Sequence, residues 1–146
     1  MDENRACCFF GHREVVHNIR AELKSVIEKL IVTEKVGNFY VGNQGQFDSM
    51  VYSVLKEPKK QYPQIRYTVV LAYMPNGRIK EIYGYDTIYP EGLETVPKRF
   101  AISKRNDWMI NKSDFAVCYV YKITGGAAKF KKKAENQGLQ VMDIGN

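Results

Sequence analysis

Residues suited to holding a phosphate recur along this chain, each group just past an apolar run. Gly11, His12 and Arg13 follow Ala6 to Phe10, while Gly42, Asn43, Gln44 and Gly45 follow Phe39 to Val41 and lead into Asp48. Thr124, Gly125 and Gly126 come after the run Phe115 to Tyr121. Glycine lets backbone N–H groups approach a phosphate closely, and a helix N-terminus just beyond adds partial positive charge. Arginine pairs with phosphate through two parallel hydrogen bonds, and Asp48 is suited to accept from ribose hydroxyls. Each residue also has a plainer use. Glycine after a strand is common turn chemistry, a histidine there is usually a turn or capping group, and an acid in a first helical turn complements the macrodipole. Their recurrence after three of the strands, on one rim of the sheet, favours a site.

Other chemistries are poorly supplied. No serine or cysteine nucleophile has an evident partner, and both the GxGxxG fingerprint and the P-loop are absent. Cys7, Cys8 and Cys118 are an odd number of cysteines inside apolar runs, without CxxC or Cys/His ligand spacing. They read as reduced core residues, so neither a metal nor a cofactor is expected. Cys7 and Cys8 are adjacent and would face opposite sides of a strand.

The elements that must position these groups alternate between short apolar runs and helical patterns, the signature of a layered α/β sheet. Ala6 to Phe10 reads as a strand. From Glu14 to Ile31, Val16, Ile19, Leu23, Val26, Ile27 and Leu30 recur at helical spacing. Phe39 to Val41 is a second strand, followed by a helix with Phe47, Met50, Val51, Val54 and Leu55 on its inner stripe, which Pro58 is expected to stop. Tyr67 to Tyr73 is a third strand. Met74 to Val96 lacks helical periodicity and reads as a long functional loop, shortened by an edge strand around Ile79 to Tyr83. Thr95 is a candidate N-cap, with Pro97 just inside a helix carrying Phe100, Ile102, Arg105, Asn106 and Met109. Trp108 on that helix is a core or subunit-contact residue. Phe115 to Tyr121, a last helix closing near Gly138, and Gln140 to Ile144 complete the chain. The reading is a single domain over residues 1–146: an α/β, Rossmann-like three-layer sandwich with a mostly parallel sheet of about five strands.

Length and composition agree with one globular domain, at 146 residues and 45% hydrophobic. No apolar run approaches the roughly 20 residues that a membrane-spanning helix needs, and the first residues lack a signal peptide's apolar stretch, so a cytoplasmic protein is expected. The net charge of +6 is uneven. Residues 1–96 carry 12 Lys/Arg against 12 Asp/Glu, and residues 97–146 carry 10 against 4. The basic excess therefore lies in the C-terminal third, around Lys129, Lys131, Lys132 and Lys133, as a phosphate-binding face or a solvated helix surface.

Two stretches, Cys7-Cys8-Phe9-Phe10-Gly11-His12-Arg13 and Phe39-Tyr40-Val41-Gly42-Asn43-Gln44-Gly45-Gln46-Phe47-Asp48, resemble the SLOG superfamily, the Rossmann-like group of the Lonely Guy and DNA-processing proteins. The stretch Tyr89-Pro90-Glu91-Gly92-Leu93-Glu94, with Lys104 to Ile110 and Ser113-Asp114, is similar to its small stand-alone YpsA-like branch. The resemblance implies a pocket for a nucleotide or nucleotide-derived ligand, such as ADP-ribose or a cyclic relative, held for sensing or sequestration. It implies that Gly11, His12 and Arg13 meet the ligand from the first loop and Gly42, Gly45 and Asp48 from the second. Arg105 and Asn106 would enter from a helix, and Thr124, Gly125 and Gly126 would hold phosphate. It also implies a homo-oligomer, a dimer or tetramer, formed through the helices.

Lonely Guy enzymes are similar in having a helix arginine, an aspartate before the next strand and a Gly-Gly turn, here Arg105, Asp114, Gly125 and Gly126. Where they continue to a catalytic glutamate, this chain reads Ala127-Ala128-Lys129-Phe130-Lys131-Lys132. An oxocarbenium-like transition state is stabilised by an anion and opposed by ammonium groups, which argues against their N-glycosidic cleavage and for binding without catalysis. The alternatives are a nucleotide N-glycosidase or deoxyribosyltransferase using Asp48, Glu91 or Glu94, and single-stranded DNA binding. Nucleic acid ranks last as a partner because the aromatics and the lysines lie in different segments.

Overall fold

A strand buried on both faces must be apolar along its whole length, and the runs Ala6–Gly11 and Phe115–Tyr119 meet that demand. In the computed structural model, which describes residues 5–73 and 86–145, they form the centre of the sheet. The elements in chain order are β1 (Ala6–Gly11), α1 (Arg20–Val32), β2 (Asn38–Val41), α2 (Gly45–Gln61), β3 (Arg66–Val70) and β4 (Thr87–Ile88). Two short 3-10 turns, Leu93–Thr95 and Lys98–Phe100, precede α3 (Ala101–Asn111), β5 (Phe115–Tyr119), α4 (Gly126–Asn136) and β6 (Gln140–Asp143).

The described strands form one six-stranded sheet in the order β4-β3-β2-β1-β5-β6, every pair parallel. Alternation along β1 sends Cys7 and Phe9 into one core, with Leu23, Ile27 and Leu30 of α1 and Phe47, Val51 and Leu55 of α2. Cys8 and Phe10 enter a second core with Met109 and Ile110 of α3 and Phe130 and Ala134 of α4. The architecture is a three-layer Rossmann-like sandwich. All three cysteines are buried and free, with Cys7 and Cys8 on opposite faces as expected.

Several boundaries differ from the sequence reading. Helix α1 begins at Arg20, not Glu14, because long-range partners claim the preceding backbone. The Val15 N–H donates to Gln46 Oε1 (2.8 Å) and the Val16 N–H to the Tyr119 hydroxyl (3.0 Å). Val16, assigned to the apolar stripe, is exposed. Pro58 does not stop α2, which runs to Gln61. Its ring is buried, and the helix end is closed by the Tyr62 N–H on the Pro58 carbonyl (2.7 Å) and by Lys59 Nζ on the Pro63 carbonyl (2.7 Å). Thr95 is no helix cap, since its hydroxyl donates to the Gly92 carbonyl (2.7 Å) and closes a 3-10 turn. Pro97 precedes the second such turn, and α3 starts only at Ala101. The expected edge strand at Ile79 to Tyr83 lies outside the described residues. Beyond them, Thr87–Ile88 pairs with β3 as the sheet's edge. Among the described residues no helix is long and apolar enough to cross a membrane.

Candidate functional site

Strand order reverses direction at β1, with β2 on one side and β5 on the other, so the loops leaving β1 and β5 diverge onto opposite faces. Open α/β sheets bind ligands at such a switch point, outside the carboxyl ends of the strands. A cleft of about 370 Å³ lies there. It brings together Gly11, His12, Arg13, Asp48, Arg105, Asn106 and Gly126 from the predicted set.

Asp48 and Arg105 form the buried electrostatic part of the cleft. The Asp48 carboxylate accepts the Gln44 N–H at 3.0 Å, and burial pushes its pKa up to about 6 against the opposing pull of Arg105, that hydrogen bond and Arg13. Arg105 is only 2% exposed. Its Nη1 donates to the Val70 carbonyl and its Nε to Asn106 Oδ1, both at 2.8 Å. Burial presses its pKa down, with Asp48 acting the other way. Arg105 and Asn106 are thus tied to the protein and each other, and their charge and polarity form the cleft wall. Gly42 makes this possible: a Cβ there would stand 2.5 Å from Arg105 Nη1 and 2.8 Å from Asp48 Oδ2. Gly45 holds φ +89°, a Cβ there would stand 2.8 Å from the Arg13 α-carbon, and the Gln46 N–H donates to the Arg13 carbonyl at 2.7 Å. Neither Gly42 nor Gly45 lines the cleft; both shape the residues that do.

His12 joins the two central loops. Its Nε2 accepts the Lys122 N–H at 3.1 Å, which makes that nitrogen the unprotonated one, and its ring meets Tyr121 edge-on at 4.6 Å. Burial, then the Lys122 charge, lower its pKa, so the imidazole is neutral at pH 7. The hydrogen bond gives His12 the turn role that competes with any catalytic one.

At the opposite wall, α4 begins at Gly126 with no side-chain cap. Gly125 holds φ +100° and needs glycine for its backbone. Gly126 does not: its φ is not positive and nothing lies within 4 Å of where a Cβ would be. Gly126 and Ala127 of the first turn of α4 line the cleft together with Arg13. Thr124 and Gly125 are exposed and do not line it.

Against the X-ray structure of DNA processing protein A from Streptococcus pneumoniae, the chain gives a TM-score of 0.68 over 95% of its length. The two share a fold. Sequence identity is 16%, and the chain spans 50% of DNA processing protein A, about half its length. No family model matches the sequence, and no curated protein matches it either. DNA processing protein A belongs to the DNA-processing group named in the sequence resemblance, and the fold agrees with that resemblance at the level of architecture.

Of the carboxylates the glycosidase reading named, Asp48 reaches the cleft and two do not. Glu94 borders a separate cavity with Tyr73 and Lys98, and Glu91 is exposed outside both. Asp114 lies at the other end of the sheet, where its Oδ2 accepts the Ala6 N–H at 3.0 Å. The lysines after the Gly-Gly turn also point elsewhere: Lys131 pairs with Asp143 at 2.9 Å and Lys133 with Asp107. Tyr121 and Lys122 line the cleft outside the predicted set, because the apolar run carries the sequence reading of this strand through Tyr121, whereas β5 stops at Tyr119. The polar residue just past the apolar run was the available signal. Among the described residues no group of three or more His, Cys, Asp or Glu is placed to hold a metal ion.

Proposed function

We propose that the cleft binds the phosphate of a nucleotide or nucleotide-derived ligand, with the α4 N-terminus, Arg13 and Lys122 as its cationic side. Gly126 carries this reading. Alanine in place of glycine restricts the unfolded chain and stabilises by roughly 0.4 to 1 kcal/mol where the backbone accepts it, and no backbone or packing requirement at this first helical position calls for glycine instead. A bare backbone is useful there if an anion must approach the free N–H groups. The cleft volume lies within the roughly 300 to 1,000 Å³ of small-molecule sites. Binding is the reading, with sensing or sequestration as its use, on a domain of the YpsA-like kind that self-associates through its helices.

Thermal-shift and calorimetric titrations with AMP, ADP, ADP-ribose and cyclic ADP-ribose test it. At least one should stabilise the protein, Gly126→Ala should weaken that ligand by about tenfold or more, and chromatography should recover it intact. No response to any of the four sinks the proposal, and release of free base would establish the N-glycosidase alternative in its place.

Single-stranded DNA is the second reading. It draws support from the neighbour being a DNA processing protein, which is at odds with ranking nucleic acid last. Its mark is affinity that falls steeply with salt, because phosphate contacts release counterions.

A further inference from the structure

Arg13 and Glu14 line the cleft on one side and a second, wider space on the other. This groove of about 890 Å³ lies toward the N-terminal ends of α1 and α2. Beyond the shared pair, His17, Asn18, Arg20, Gln46 and Ser49 supply its polar lining, and Met50 an apolar patch. Arg13 and Arg20 face one carboxylate, Glu14, so the charge favours an anion, while the amide, hydroxyl and thioether suit a sugar and a base.

The ridge between the two spaces is built rather than loose. Gln46 holds it twice, accepting the Val15 N–H through Oε1 (2.8 Å) and donating its own N–H to the Arg13 carbonyl (2.7 Å). The Tyr119 hydroxyl accepts the Val16 N–H at 3.0 Å and meets His17 Nδ1 at 3.2 Å. Arg20 is steadied by Ser53 Oγ at 2.7 Å, which leaves its charge on the groove between α1 and α2. Backbone fixed in this way positions Arg13 with little ordering cost on binding.

We infer that the groove is a second subsite, for the second nucleotide unit of a dinucleotide-sized ligand whose first unit occupies the cleft. The linking phosphate crosses the ridge at Arg13. This rests on the nucleotide reading of the cleft and adds the size of the ligand. Such a unit comes as a free dinucleotide or as the end of a single strand.

Calorimetry with AMP, with the 5′-phosphorylated dinucleotide pApA and with a longer 5′-phosphorylated oligoadenylate tests the inference. For the parent protein pApA should bind about tenfold or more tightly than AMP. Ser49→Glu, an exposed change in the groove alone, should bring pApA down to the level of AMP and leave AMP within about twofold. Arg20→Ala should do the same in part. The longer strand separates the sources: weaker binding than pApA marks a free dinucleotide, equal or tighter binding a strand end, and both require the second subsite. Equal affinity for pApA and AMP overturns the inference while the cleft reading stands, as does a Ser49→Glu effect of the same size on both. Failure of AMP, pApA and the oligoadenylate alike to bind overturns the inference, and the cleft reading falls with it when ADP, ADP-ribose and cyclic ADP-ribose fail too.

Discussion

Gly126 and Asp48 show what single residues reveal once their surroundings are known. At Gly126 the backbone is ordinary and the Cβ position empty, so Gly126→Ala should raise stability by about 0.4 to 1 kcal/mol through the unfolded chain's lost freedom while it weakens the ligand. Urea midpoints check the first effect, and a destabilised variant would show a packing requirement that the structure does not contain. At Asp48 the carboxyl's pKa is about 6 in the folded protein against an ordinary 3.8. Between those values the folded chain holds a proton that the unfolded chain has released. The stability this group contributes is therefore complete below pH 4 and is lost as pH rises through 6, by on the order of 3 kcal/mol. His12 works the other way, since its lowered pKa favours the folded protein as pH rises toward and past its ordinary value. The difference between parent and Asp48→Asn isolates the carboxyl, because the amide oxygen still accepts the Gln44 N–H and carries no charge. The parent should lose stability relative to the variant from pH 4 to 6. Parallel stability curves would show that Asp48 titrates normally.

The elements around the site depend on partners far away in sequence, and this sets what could be read in advance. Tyr119 ends β5, stacks on Phe47 at 5.8 Å and holds Val16 and His17 through its hydroxyl. Tyr119→Phe keeps the ring and removes that anchor, at a cost of about 1 kcal/mol, and amide exchange at Val16 should quicken by roughly tenfold. Unchanged exchange would show that Gln46 alone holds the loop. These anchors lie 31 and 103 residues from the backbone they fix, which is why helical periodicity carried α1 back to Glu14 and included the exposed Val16. The strands were legible because burial on both faces demands unbroken apolar runs, and the rim loops because their glycines follow directly. That Gly42 serves Arg105, and that Arg105 turns inward to the Val70 carbonyl, depends on packing between β3, α2 and α3 that no local pattern records.

Across the whole molecule the +6 charge is distributed differently from its distribution along the sequence. The lysine run of α4 suggests cations beside the Gly-Gly turn, yet Lys131 and Lys133 are paired with Asp143 and Asp107, and Lys129 and Lys132 are exposed away from the cleft. The cations that line it come from three separate elements: Arg13 after β1, Arg105 within α3 and Lys122 after β5. A small ligand senses these, while charges beyond about 8 Å are screened at physiological salt. Replacing Lys129 and Lys132 together by glutamate should therefore change the affinity for a nucleotide by less than about twofold, whereas Arg13→Ala with Lys122→Ala should weaken it by about tenfold or more. A long single strand responds to the wider surface. For it the double reversal on α4 should cost affinity and flatten the dependence of log K on log salt by roughly one for each phosphate that the protein no longer neutralises. Equal losses of nucleotide binding in the two double variants would contradict a local site and place the recognition in the field of the whole protein.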